Sequence, residues 1–165
     1  MQHGARRHFP APIRTPGLTV LPEWIDYNGH MNVAYYVLLF DRCVDDTFEA
    51  LGMGPAYVAS RHASFFTAEL HVSYLRELAV GTTVEATFQL LAHDAKRIRG
   101  YLELVHAGEG FVAASADQLF LHVDMAARRV APFPDDILAN LAAMRAAHAA
   151  LPRPERTGRA ITLGD

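Results

Sequence analysis

Polarity along the chain follows two different periods. From Val33 to Phe40 eight residues carry no charge, and Tyr36, Leu39, Phe40, Cys43, Val44, Phe48 and Leu51 then recur at helical spacing. Asp41, Arg42, Asp45, Asp46 and Glu49 fill the other face. This predicts a helix to about Leu51. Its first two turns are apolar all round, which predicts an end buried on every side. Gly52-Met53-Gly54-Pro55 stops it, and Ala56 to Ala63 reads as connection.

Beyond Ser64 the period falls to two. From Ser64 to Leu75, Phe66, Ala68, Leu70, Val72 and Tyr74 alternate with Thr67, Glu69, His71 and Ser73. Thr82 to His93 and Arg97 to Ala107 alternate in the same way, with Asp94-Ala95-Lys96 as a hairpin turn between them. After Gly108-Glu109-Gly110, Phe111 to Asp124 is apolar on both faces, as a central or interface strand would be. A short β-prone stretch, Leu18 to Pro22, precedes the helix. Near the C-terminus, Asp135 can cap a peripheral helix to about Ala150, with a stripe of Ile137, Leu141, Met144 and His148.

The order predicts an α+β fold: an antiparallel meander of four long strands wrapped around one long central helix, plus a peripheral C-terminal helix. A single domain is expected over 17–151, between a flexible N-terminal arm over 1–16 and a flexible tail over 152–165. The arm's three arginines are either solvated or available to an anionic ligand.

The 165 residues suit one domain with a full core, and the formal charge of −3 argues against nucleic acid. The single cysteine, Cys43, excludes an internal disulfide and lies on the apolar helical face, where it reads as packing. No apolar run reaches the roughly 18 residues of a membrane span, and no apolar stretch follows the basic N-terminus as in a secretory signal. A cytoplasmic protein is expected.

The chemistry concentrates just before the central helix, in Asp26-Tyr27-Asn28-Gly29-His30-Met31-Asn32. Asn28 and Asn32 suit turn and cap positions, and Gly29 permits a tight bend. Polar groups thus gather at a helix N-terminus, whose free N–H groups and dipole favour an anion or a developing oxyanion. Asp26 can attack a carbonyl carbon, deprotonate water, or simply shape a turn. His30 can hold water or steady a carbonyl, and Asn28 can orient either; both also read as structural residues. Asn32 reads as a cap. No metal-ligand spacing, Gly-rich phosphate loop or Gly-x-Ser-x-Gly elbow occurs, nor any dinucleotide fingerprint.

The element order and the Asp26–Asn32 stretch resemble the hotdog-fold acyl-CoA thioesterases of the 4-hydroxybenzoyl-CoA thioesterase-like type, over roughly Leu18 to Asp124. The resemblance implies Asp26 as nucleophile or general base and the backbone N–H near Val33 as the group that polarises the thioester carbonyl. Asp26-x-Asn28-x-His30 also looks like the Asp-x-Asn-x-His segment of plant acyl-carrier-protein thioesterases, where all three polar residues are implicated in catalysis. With Glu69, His71 and the Asp94-Ala95-Lys96-Arg97 turn, the run is similar to small thioesterases of bacterial carnitine and betaine breakdown. Hotdog hydratases space their Asp and His differently, which favours hydrolysis.

The implied function is hydrolysis of a short or polar, betainyl-type acyl-CoA by a homodimer or homotetramer, with coenzyme A as part of the substrate and no other cofactor. A trimethylammonium acyl group would be held by Glu69 and rings such as Trp24, Tyr35, Tyr36 or Phe65, with His71 beside Glu69 on one strand face. That face reads equally as solvated. Lys96, Arg97 and Arg99 would bind the phosphates of coenzyme A, or form an ordinary charged turn. The alternatives are an acyl-carrier-protein thioesterase and a non-catalytic acyl-CoA-binding module.

Overall fold

The computed structural model describes residues 7–164. Arg6 and the rest of the first six residues of the expected arm lie outside this range, as does Asp165. The elements are β1 (Ile13–Thr19), α1 (Val33–Leu51), α2 (Pro55–Arg61), β2 (Ala63–Tyr74), β3 (Thr83–His93), β4 (Arg97–His106), β5 (Val112–Asp124), β6 (Arg129–Val130) and α3 (Asp135–Ala147). No helix among them is long and apolar enough to cross a membrane.

α1 forms where the helical period places it. Asn32 caps its start by accepting the Ala34 N–H, and Gly52, at φ 87°, ends it in the left-handed conformation that glycine adopts without steric cost. Its face of Leu39, Phe40, Cys43, Val44, Phe48 and Leu51 is buried against the sheet, sharing the core with Phe88, Leu102, Leu104 and Phe120. The first turns are not enclosed: Val33 is 56% exposed and Leu38 37%. α3 lies at the periphery with its stripe, Ile137, Leu141, Met144 and His148, fully inward. Pro134, not Asp135, occupies its N-cap position.

The sheet runs β1-β3-β4-β5-β2, every neighbour antiparallel, with β6 against the end of β5. The expected four-strand meander holds only for β3, β4 and β5. β2 pairs with β5 at the far edge, and β1 takes the place beside β3. The link from β2 to β3 is no hairpin. It buries Leu78, whose carbonyl accepts the Met31 N–H, and so crosses beneath the start of α1.

Four local readings change. β1 begins at Ile13, inside the segment expected to be a flexible arm, and Phe9 is already buried. The expected connection after Gly54 contains α2, a helix too short to display a period. A bulge between Thr67 and Glu69 turns β2 over, so Thr67 joins Phe120 on the inner face while Phe66 is left 51% exposed. The tail expected to be flexible lies on the outer sheet face: Gln89 donates to the Pro152 carbonyl, and the Gly158 N–H donates to Asp117.

Candidate active site

The polar stretch before α1 folds as a small closed loop. Ile25 and Met31 pair as an antiparallel bridge, the Asp26 N–H donates to the His30 carbonyl, and Gly29, at φ 83°, donates back to Asp26. The loop is anchored by the Asn32 N–H on the Trp24 carbonyl and by Met31 on Leu78. A half-buried carboxylate is thereby held at its mouth. Asp26 Oδ1 accepts the Asn28 N–H at 2.8 Å, and Oδ2 faces the Asn32 amide at 3.4 Å.

Directly behind stands the N-terminus of α1. Ala34 N–H is taken by the Asn32 cap and Tyr35 N–H by the Asn32 carbonyl. The Val33 N–H has no acceptor among the described residues, so a free donor sits at the positive end of the helix dipole. Asn28 contributes its backbone N–H to Asp26, while its side chain stays exposed.

His30 faces a cleft of about 200 Å³ lined by Val33, Tyr36, Tyr74, Arg76 and Glu77. Its Nδ1 is buried without a hydrogen-bond partner among the described residues, and its Nε2 lies 3.8 Å from Glu77 Oε2. Tyr36 and Tyr74 meet edge to face, with centroids 5.2 Å apart. Burial pushes both phenols above their ordinary range, and the Glu77 charge adds to the shift at Tyr36, so both remain hydrogen-bond donors. The Tyr74 hydroxyl donates to the Val33 carbonyl at 3.2 Å.

The other residues singled out from sequence lie elsewhere in the chain. Trp24 and Tyr35 stack on each other at 5.2 Å and Arg42 covers the Trp24 ring, so these two rings are already occupied. Phe65 stacks on Phe48 at 3.6 Å, some 22 Å down α1 from Val33 at 1.5 Å per residue. Glu69 and His71 stand opposite Leu119 and Asp117 on the outer face of the sheet, turned away from α1. The basic cluster is split. Arg97 pairs with Asp94, whose carboxyl it holds below the usual range, and Arg99 makes a two-pronged pair with Asp117 at 2.9 and 2.6 Å. Lys96 has no ion pair among the described residues.

A carboxylate beside a free helix N–H and an imidazole-lined cleft is a hydrolytic arrangement on a sheet curled around one helix. Residues 20–141 match the profile of the thioesterase-like superfamily. The chain belongs to that superfamily. It is 41% identical over 144 residues to the betainyl-CoA thioesterase of Pseudomonas aeruginosa, covering 87% of this chain and 91% of that protein. It is 37% identical over 150 residues to the L-carnitine dehydrogenase/betainyl-CoA thioesterase of Rhizobium meliloti, covering 91% of this chain but only 30% of that longer protein. A Staphylococcus aureus protein solved in complex with CoA superposes with a TM-score of 0.87 at 25% identity, over 93% of this chain and 96% of that one. The fold is the hotdog fold, and the chain is a thioester hydrolase.

Sequence reasoning missed Tyr74, Arg76 and Glu77 as neighbours of this thioesterase loop. They come from the end of β2, more than forty residues from His30 in sequence, and alternation within β2 carried no sign of where its end would dock.

Proposed function

We propose that this thioesterase hydrolyses a short acyl-CoA with a cationic, betainyl-type acyl group, and that Asp26 drives the reaction. The observation that carries this reading is that one side chain, Asn32, both faces the Asp26 carboxylate and caps the start of α1, where the Val33 N–H is free. Asp26 takes a proton from water as the water oxygen bonds to the thioester carbon. The carbonyl oxygen gains negative charge and is met by the Val33 N–H at the positive end of α1. Collapse of the tetrahedral intermediate expels the thiolate of coenzyme A, which takes up a proton, and releases the free acid. His30, whose ring lines the cleft and whose Nδ1 has no partner among the described residues, orients the water or the carbonyl. Attack by Asp26 itself would form an anhydride; single turnover in ¹⁸O-water, with the label sought in Asp26, separates the two routes.

The cleft supports a cationic acyl group. Tyr36 and Tyr74, set edge to face, line it with Glu77 beside His30, and Arg76 is drawn aside over the Phe111 ring at 3.7 Å. Glu77 thus takes the part the sequence suggested for Glu69. The identity to a betainyl-CoA thioesterase points the same way.

A homodimer completes the site. β2 is a sheet edge, and Phe66, Tyr74, Val33 and Leu38 leave apolar surface beside it. Antiparallel pairing of two β2 strands about their middle would bring the start of the partner's β2 and its Asp94–Lys96 turn next to Asp26. Phe65 and Lys96, remote within one chain, would then approach the cleft of the other.

The test is thiol release from betainyl, short linear, long linear and aryl acyl-CoAs, and from the matching acyl-carrier-protein thioesters. Wild type should turn over the betainyl substrate, and Asp26→Asn should lose about 100-fold or more, the usual scale of a general base. Full activity in Asp26→Asn discards the site. Saturable binding without turnover would mean a binding module, and preference for the carrier-protein thioester would move the substrate to that class.

A further inference from the structure

The chain after α3 crosses the outer face of the sheet strand by strand. It leaves α3 beside a pocket of about 380 Å³ that Arg145, His148 and Arg153 line. Gln89 of β3 then donates to the Pro152 carbonyl. Gly158 passes over β4, where a Cβ on it would stand 3.5 Å from the Arg99 guanidinium, and its N–H donates to Asp117 of β5 at 2.7 Å. Arg159 reaches β2, lining a hollow with Glu69 and His71. The path therefore runs over β3, β4, β5 and β2, across the strands and toward the free edge of the sheet.

The anchoring ends at that edge. Asp117 grips the Arg99 guanidinium with both oxygens while it accepts Gly158, so one carboxylate fixes the arginine and the turn of the tail together. Beyond it, Ile161 is 92% exposed and Leu163 is fully exposed. These two alternate with Thr162, so in extended chain they share one face. Two large apolar side chains left in water at the end of a fastened segment gain free energy from any apolar cover. The outer face holds such a cover beside the edge. Phe66 of β2 and Leu121 of β5 stand opposite each other, the first 51% exposed and the second half-buried. The tail does not lie on this patch within its own chain, since both its apolar side chains remain exposed.

We propose that Ile161 and Leu163 dock on the outer face of a second copy of this chain, over the partner's Phe66 and the partner's Leu121, so that two tails clasp the dimer across its seam. The inference rests on the β2–β2 dimer proposed above. Pairing about the middle of β2, Ala63–Tyr74, sets the partner's Phe66 opposite His71, and directly opposed residues point to one face. The line from Asp117 through His71 then continues to the partner's Phe66 and on to the partner's Leu121. Strands lie about 4.8 Å apart, so the partner's β2 is about 10 Å from Asp117 and the partner's β5 about 14 Å. At about 3.3 Å per residue, extended chain carries Ile161 about 10 Å beyond Gly158 and Leu163 about 16 Å. Each apolar side chain of the tail thus reaches one apolar target. On the way, Arg159 and Glu69, neither in an ion pair among the described residues, line one hollow with opposite charges.

Sedimentation of the full chain and of a chain shortened after Arg159 tests the clasp. Removing residues 160–165 should raise the dimer dissociation constant at least about tenfold, and Ile161→Ser/Leu163→Ser should do the same, because the lost contact is apolar. Both side chains are exposed in the single chain, so each protomer keeps its fold and its circular dichroism. Leu121→Cys/Leu163→Cys, treated with a short bismaleimide, should run as a covalent dimer on a denaturing gel, with mass spectrometry placing the link between position 121 of one chain and position 163 of the other. A link within one chain, or no link, would overturn the clasp, as would a dissociation constant that shortening leaves unchanged. A wild type that sediments as a monomer would remove the dimer and the clasp with it. A wild-type dimer indifferent to these changes would overturn the clasp alone and leave the dimer standing.

Discussion

The Asn32 side chain does two jobs at once for Asp26: its Oδ1 caps α1 by accepting the Ala34 N–H at 3.0 Å, and its Nδ2 faces the Asp26 carboxylate at 3.4 Å. The start of the helix and the orientation of the carboxylate are therefore mechanically one feature. Asn32→Ala should lose about 1 kcal/mol of stability, the usual cost of a removed cap, and also lower kcat. Asn32→Asp keeps the cap and should fold normally. It places a second carboxylate against Asp26, and two such groups resist joint ionisation, so the acidic limb of the pH–rate profile moves to higher pH. Denaturant melts and pH–rate curves of the two variants separate capping from orientation; an unmoved limb in Asn32→Asp would mean the two side chains do not interact.

Phe66 on the free edge and Leu38 on the open side of α1 are exposed in the single chain, so charging them should cost the isolated fold little. If the proposed partner completes the cleft, Phe66→Lys/Leu38→Lys should sediment at half the wild-type mass and lose turnover. A wild type that sediments as a monomer at micromolar concentration, with full activity, would refute the dimer.

His148 is buried and neutral, donating from Nε2 to Pro10 and accepting at Nδ1 from Leu90. Burial is the main reason its proton affinity is lowered, and Arg145 adds to it. The unfolded chain thus binds a proton more readily than the folded one. The stabilisation is complete above the unfolded value near 6.5 and is lost as pH falls below it. Melting midpoints measured from pH 7.5 to 5 should drop more steeply for the wild type than for His148→Gln. Parallel curves would show that His148 does not titrate on unfolding.

Gly100 leaves room for the Phe88 ring. A Cβ built there would lie 2.4 Å from two of its carbons, far inside van der Waals contact. Gly100→Ala should destabilise by about 1–3 kcal/mol, the common cost of overpacking. Phe88→Leu, itself destabilising through a cavity, should make the alanine less harmful, so the double variant is more stable than the sum of the singles. Additive effects in guanidinium melts would mean the ring moves freely aside.

Local chemistry was legible before any coordinates. The helical period, the stop at Gly52 and the gathering of Asp26, Asn28, His30 and Asn32 at the helix start all depend on neighbours within a few residues. Pro55, a common first residue of helices, was the available sign of α2. Distant pairing was not legible. That β2 would lie beside β5 and not β3, that Ala68 would bulge and turn Phe66 away from the face of Leu70 and Val72, and that Asp117 would cancel Arg99 depend on which strand edges and charges meet after collapse. A period of two says that a strand has two faces but not which face turns inward, and a single extra residue reverses the answer. The Asp26 loop is thus a property of the sequence around it. The cleft that Tyr74 and Glu77 complete, and the pocket that Arg145 and Arg153 line, exist only because the curled sheet brings together segments far apart in the chain.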